Sequence, residues 1–333
     1  MFESSHVWLK KSTNVRLLIA ATTLAACALL ARPVAAQQQA MVQDTFTSLS
    51  ALAREADLLL RQGALRAEQG QWHDARRLFE AAIRLSPSAP LYHNLGVTLA
   101  ALGDADRAIR AYADALRLDP HLVEARVNIG VELSKAGKPT EALDHLERAT
   151  RSAPRMVAAH HNLGVVLAQL GRLDASIASL TRALALDPDD PVVRRALAET
   201  QYNAGVHFAR RQLWKEAIGR YRAAVAVDRS FADSFNGIGV ALGRQDDHEA
   251  ALQMYDEAVR LRPSFVEARY NRAISYAVLA RYADAIQSCR AILAARPDFS
   301  RARALLRSLE NGDASARLSA HASIASEPIA MTR

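Results

Sequence analysis

The sequence predicts an all-α superhelix of about seven stacked helix-turn-helix repeats, closed by a C-terminal capping helix. Three observations predict it: apolar residues at helical spacing, a pattern returning about every 34 residues between Ala56 and Pro297, and prolines confined to the joints. One such repeat is too short to bury its own apolar face, so neighbours must stack and a long groove results.

Each repeat reads as two amphipathic helices. The fourth shows it well: Leu163, Val166, Leu167 and Leu170 recur three and four apart along and just past a helix over 157–169, then Ile177, Leu180, Ala183 and Leu184 over 174–185. Small residues mark the places where two helices must approach closely. They are Gly63, Gly96, Gly130, Gly164, Gly205, Gly239 and Ala273 in the first helices, and Ala75, Ala108, Ala142, Ser176, Ala217, Ala251 and Ala285 in the second. A larger side chain stands opposite each pair: Phe79, Tyr112, Leu146, Leu180, Tyr221, Tyr255 and Cys289. Gly70, Gly103, Gly137 and Gly171 fit the left-handed position that ends a helix. Pro87, Pro120, Pro154, Pro188, Pro263 and Pro297 close repeats, and Pro90, Pro139 and Pro191 fall near helix starts. None falls in a helix interior, where proline costs about 3 kcal/mol.

These glycine, alanine and proline positions resemble the tetratricopeptide repeat (TPR). The resemblance covers 56–297 and divides it into repeats at 56–88, 89–122, 123–156, 157–190, 191–231, 232–265 and 266–299. It implies a right-handed solenoid whose first helices line a concave face. Arg229 departs from the pattern in place of a closing proline, as does Gln62 at a usually aliphatic position.

The period breaks once. From Pro188 to Arg229 the step is 41 residues, seven more than the repeat length. Asp190-Pro191 is a good helix start, so the first helix of the fifth repeat is expected over 191–210. Seven residues make nearly two turns and preserve the buried face; the added turns, 192–197, are expected to project beyond the stack or cover a groove. A division into four repeats and three is also open at this point.

Residues 1–36 read as a leader, with Lys10, Lys11 and Arg16 before the apolar run 17–31 and Val34-Ala35-Ala36 as a cleavage site. A periplasmic or secreted bacterial product follows. Leu24-Ala25-Ala26-Cys27 also resembles the lipobox of bacterial lipoproteins, which implies lipidation at Cys27 and attachment to the outer membrane. Residues 37–55 are a linker leading into a first helix that starts near Ser48. At the other end, 298–311 form the capping helix, with Ala302, Leu305, Leu306 and Leu309 on one side and Arg301, Arg303 and Arg307 on the other; 312–333 are expected to be disordered.

The net charge is +7, and +4 without residues 1–36. Charges alternate in sign along the helices, and no aromatic platform accompanies a basic stripe, so nucleic acid is not an expected partner. A membrane is expected only through lipidation or an uncleaved leader. No cofactor motif appears, and no nucleophile is paired with a base. Cys289 occupies a core position and reads as a small apolar group. His160, His161 and His93 lack the carboxylate or cysteine that would complete a metal site.

The binding face implied by the resemblance carries Asn94, Asn128, Asn162, Asn203 and Asn271, interrupted by Arg61 and Gly237. This row resembles the asparagine ladder in the repeat domain of O-linked N-acetylglucosamine transferase, which grips extended peptide backbone. An amide both donates and accepts, which suits a ligand whose constant feature is its peptide groups. Val131, Val165 and Val206 run beside the row, and His93, His161, Tyr202 and Tyr270 vary from repeat to repeat. A second reading stays open, in which the asparagines belong to the repeat pattern and only order neighbouring helices. Glu124, Ala158 and Asn162 stand where a carboxylate clamp for chaperone C-termini needs basic groups, so that specialisation is not expected. The expected function is a non-catalytic, exported scaffold binding protein or peptide. The alternatives are a lipoprotein assisting assembly of a secretion, pilus or polysaccharide-export complex, and a subunit presenting substrates to a separate enzyme.

Overall fold

The computed structural model describes residues 38, 39 and 41–311; the expected leader with Cys27 and the C-terminal residues 312–333 lie outside the described residues. Every regular element among the described residues is an α-helix, and none is long and apolar enough to cross a membrane. Two compact units emerge, one ending at Leu118 and the other beginning at Asp119. The division therefore falls after the second helix pair and not at the long step after Pro188.

The first unit contains α1 (41–68), α2 (Trp72–Leu85), α3 (Ala89–Ala101) and α4 (Ala105–Leu118). Helix α1 is already formed at residue 41, seven residues ahead of Ser48. The second unit contains α5 (Val123–Lys135), α6 (Pro139–Ser152), α7 (Val157–Gln169), α8 (Leu173–Leu186), α9 (Pro191–Arg210) and α10 (Trp214–Val227). It continues through α11 (Ala232–Gly243), α12 (His248–Leu261), α13 (Val266–Val278), α14 (Tyr282–Ala295) and the cap α15 (Ser300–Glu310). In this unit each helix packs on the next in sequence, and α5, α7, α9, α11 and α13 also pack on one another in order. The second helices have no comparable mutual packing, so the unit curves with its first helices on the inner side.

The pattern of small and large residues becomes a set of close contacts. A methyl added to Gly63 would stand 2.6 Å from the Phe79 ring, and one on Gly96 would stand 2.5 Å from Tyr112. In the second unit Gly130 meets Leu146, Gly164 meets Leu180, Gly205 meets Tyr221 and Gly239 meets Tyr255, all at 2.5–2.6 Å. Ser176, where most second helices have alanine, spends its buried hydroxyl on Gly164 O at 2.6 Å. Pro120, Pro154 and Pro188 each receive a hydrogen bond on their carbonyl from the side chain six residues on, from Arg126, His160 and Arg194 at 2.7–3.1 Å. Arg303 donates in the same way to Pro297 O. A side chain of the next helix thus takes up a carbonyl that the junction leaves without a helical donor.

The turn glycines do adopt the left-handed conformation, with φ from 71 to 80°. The last three turns put Gln212, Asp246 and Ala280 in the same conformation at 58–63°. Alanine has neither the freedom of glycine nor a polar group to offset the steric cost. Ala280→Gly is therefore expected to stabilise the protein by about 1 kcal/mol, with a smaller gain for Asp246→Gly. A thermal midpoint unchanged or lowered by Ala280→Gly would refute this.

Helix α9 spans 191–210 as expected, and the Asp190 carboxylate accepts from Val192 N and Val193 N at 2.8 and 3.1 Å. The added turns correct the expectation that they project. Val193, Leu197 and Ala198 are at most 3% exposed, so one face of the insertion is core, while Val192 and Arg195 lie on its exposed side. Arg195, on the same turns, lies 4.3 Å over the Phe231 ring and pairs with Glu199 at 2.7 Å and Asp228 at 3.4 Å. At the C-terminal end Ala302, Leu305 and Leu309 of α15 are buried. Arg301 is not simply an outer-face group: its guanidinium lies over both Tyr270 and Phe299, at 5.1 and 4.9 Å.

Candidate functional site

The inner layer of first helices is where the row of asparagines falls, and the structure separates that row into two kinds. On α5, α7 and α9, Asn128, Asn162 and Asn203 are half-buried, with half-buried Val131 and Val165 beside the first two. Asn162 donates through Nδ2 to Ala158 O at 2.8 Å, one turn back in its own helix. In the first unit Asn94 does the same to Pro90 O at 2.9 Å. That bond holds the amide in one rotamer and leaves it a second N–H and an acceptor oxygen. Ser134 donates to Gln169 Oε1 at 2.8 Å, tying α5 to α7 along the same face. His93, also in the first unit, is half-buried with its ring 5.7 Å from that of Tyr112.

Four of the expected contact residues are core instead. Asn271 is 3% exposed and donates to Asn236 Oδ1 at 3.1 Å, so this amide joins two helices. Tyr202, Tyr270 and Val206 are 5%, 2% and 0% exposed. The cause is a second aromatic at the following junction. Phe231 packs edge-on against Tyr202 at 5.5 Å and Phe299 against Tyr270 at 5.4 Å, and each pair closes over the floor. Val206 belongs to the cluster of Tyr202, Tyr221 and Phe231. Phe231, Phe265 and Phe299 recur at the repeat spacing in the last three junctions. That signal was available in the sequence and marks where the inner face fills in.

His161 of α7, next to Asn162, is half-buried. Burial holds its imidazole below the ordinary value, against the opposing pull of Asp190. His145 on α6 is lowered in the same way, chiefly by burial with Asp144 opposing. A histidine with a depressed folded pKa favours the neutral form in the fold. Its contribution to stability is complete above the unfolded value near 6.5 and is lost as the pH falls below it. The thermal midpoint is thus expected to drop on acidification from about pH 7 to pH 5. Replacing His145 and His161 by glutamine should flatten that drop, and an equal drop in the variant would refute the assignment. Asp228 titrates in a separate window. Burial raises its carboxyl, but hydrogen bonds from Ser230 and Arg195 outweigh it and hold the group below the usual range. Its contribution is therefore lost only as the pH falls below about 4.

Cys289 is fully buried in the last helix pair, and burial pushes its thiol up to about 12. A thiol so placed is inert, in agreement with a packing role. Among the described residues no group of three or more His, Cys, Asp or Glu is placed to hold a metal ion.

A curved layer of first helices, each backed by its own partner helix, defines a helical-repeat protein-interaction scaffold. Residues 57–89, 87–155, 127–191, 202–263 and 236–298 match the tetratricopeptide repeat, and the chain belongs to the TPR family. No curated protein matches it. Among solved structures it is similar to YrrB, described as a TPR protein with an unusual peptide-binding site. Identity is 27%, over 57% of this chain and 95% of that one, with a TM-score of 0.47. It is also similar to MamA (23% identity, 54% and 94% coverage, TM-score 0.44) and to pilF of Pseudomonas aeruginosa (19%, 66% and 97%, TM-score 0.48).

Proposed function

We propose that this protein is a non-catalytic, exported adaptor that holds an extended segment of a protein partner against α5, α7 and α9. The observation that carries the reading is the run of three half-buried asparagines on consecutive first helices, with Val131 and Val165 beside them. Amide groups at repeated spacing suit the donors and acceptors of a peptide backbone, and the valines supply a mildly apolar floor. Each hydrogen bond contributes roughly 0.5–1.5 kcal/mol net, so several are needed and sequence preference is low. The leader-like residues 1–36 support export to the periplasm or beyond.

The test is a cross-linking capture from the host envelope with the parent chain and with Asn128, Asn162 and Asn203 all changed to alanine. Losing three bonds is expected to weaken capture by about 10- to 1,000-fold at unchanged helicity. Equal capture would make these asparagines structural. A second reading rests on Leu24-Ala25-Ala26-Cys27: a lipoprotein anchored at Cys27 that assists assembly of an envelope complex. Mass spectrometry of the mature N-terminus separates the two, since one begins at Gln37 and the other at a lipidated Cys27.

A further inference from the structure

We infer that residues 312–333 dock along the inner face of α13, α11 and α9, as an intramolecular ligand of this part of the groove. The observation is a row of floor residues that are buried with no described helix over them. In α7 the floor positions Val165 and Ala168 are half-buried. Their equivalents are Val206 and Ala209 in α9, Val240 and Gly243 in α11, and Ile274 and Ala277 in α13. All six are buried, the five besides Gly243 at 0–4% exposed. Ala168 and Ala277 are the same residue at the same position, so the difference lies in what stands above them. It does not lie in the helices. Helices α7 and α11 each pack on their own second helix, on the second helix before them and on the first helices at either side. Nor does it lie in the junction aromatics. Phe231 and Phe299 close over Tyr202 and Tyr270, whereas Ala209 and Ala277 stand two turns beyond these, about 10 Å further along the helix.

The register of the repeats points to the occupant. Ala209, Gly243, Ala277 and Asn311 follow one another at intervals of 34 residues. Helix α15 continues the series of first helices and ends just before Asn311. The chain therefore leaves its last helix on the level of the covered row. Gly312 follows at once, and glycine accepts the conformations of a sharp turn out of a helix. From α13 to α9 is two helix spacings, about 20 Å. The segment has 22 residues, enough to reach about 70 Å when extended. Its composition suits a narrow, uncharged floor. Ten of the 22 residues are Ala or Ser, and the charges cancel, Asp313 and Glu327 against Arg317 and Arg333. Leu318, Ile324 and Ile329 are its apolar anchors. A second copy or a separate partner has no reason to cover the helices nearest Asn311 and leave α7 open. On α9 the segment stands beside Asn203 and competes there with the partner proposed above; that consequence rests on the adaptor reading, and the docking itself does not.

The test uses the chain from Gln37 to Arg333, so residues 1–36 play no part and Cys289, fully buried, is the remaining thiol. Single cysteines are placed at Val240 and Ala277, with Val165 and Ala168 for comparison, and their labelling by a maleimide is timed. Val240→Cys and Ala277→Cys should react at least about 10-fold more slowly than Val165→Cys and Ala168→Cys. Ending the chain at Asn311 should bring the four to similar rates at unchanged helicity. Leu318→Asp with Ile324→Asp and Ile329→Asp should do the same in the whole chain. A synthetic peptide of 312–333 at about 1 mM, the effective concentration of a tethered segment, should restore slow labelling in the shortened chain. The inference is overturned by four equal rates in the whole chain, by slow labelling that survives both changes, or by a peptide without effect. Slow labelling that survives would assign the cover to the helices themselves or, where it depends on protein concentration, to a second copy. No partner enters these measurements, so they succeed or fail independently of the adaptor reading.

Discussion

Gly205→Ala is expected to destabilise the protein by about 1–3 kcal/mol, the range for adding volume to a packed core. The new methyl would stand 2.5 Å from the Tyr221 ring, closer than van der Waals contact allows. The same tip of the ring lies 3.0 Å from the place a methyl on Gly237 of α11 would occupy, so Tyr221 is wedged between glycines of two successive first helices and has little room to retreat. It is fully buried and its neighbours Tyr202 and Phe231 are packed against each other. Gly219 on the exposed side of α10 is the control, since a methyl there meets nothing within 4 Å. Gly219→Ala should stabilise by about 0.5–1 kcal/mol through helix propensity alone. Opposite signs for the two substitutions in chemical denaturation would support the wedge; equal effects would exclude it.

The second large effect concerns the insertion. In the sixth and seventh pairs an acid at the start of the first helix meets an arginine at the closing junction, Asp233 with Arg262 and Glu267 with Arg296. Each arginine also lies over a phenylalanine three residues on, Phe265 at 4.5 Å and Phe299 at 5.2 Å. The fifth pair keeps the acid, Glu199, and the aromatic, Phe231, but has Asp228 where the arginine should stand. Arg195, brought in by the inserted turns, occupies the vacant role: it pairs with both acids and stacks on Phe231. The insertion thus supplies the cation that its own junction lacks. Arg195→Ala is expected to cost about 1–1.5 kcal/mol, mostly from the stacking contact, because the half-exposed ion pairs are screened by water. Adding Asp228→Arg should recover most of the loss by restoring the arrangement of the next two pairs. A second variant no more stable than the first would show that Arg195 acts otherwise.

Much of this protein was legible in the residues. Helix pairs, the close approach of Gly164 to Leu180, the left-handed turn at Gly171 and the start of α9 at Asp190 are local consequences of size, period and capping. They depend on neighbours a few residues away, or one repeat away at fixed spacing, so a single chain reveals them. The binding face was legible only in part. Asn162 and Asn271 occupy equivalent positions, yet one is half-buried and the other is a core hydrogen bond to Asn236.

The sequence by itself determined the repeat, its helices and the family, because each repeat states the same pattern again and errors in one are corrected by the others. Only the tertiary structure decided which first helices keep an open inner face and what the insertion does. Those outcomes depend on aromatic packing across junctions, Phe231 on Tyr202 and Phe299 on Tyr270, and on a cation delivered from another helix turn. Burial is a property of what surrounds a side chain in space, and residues equivalent in the pattern need not have equivalent surroundings.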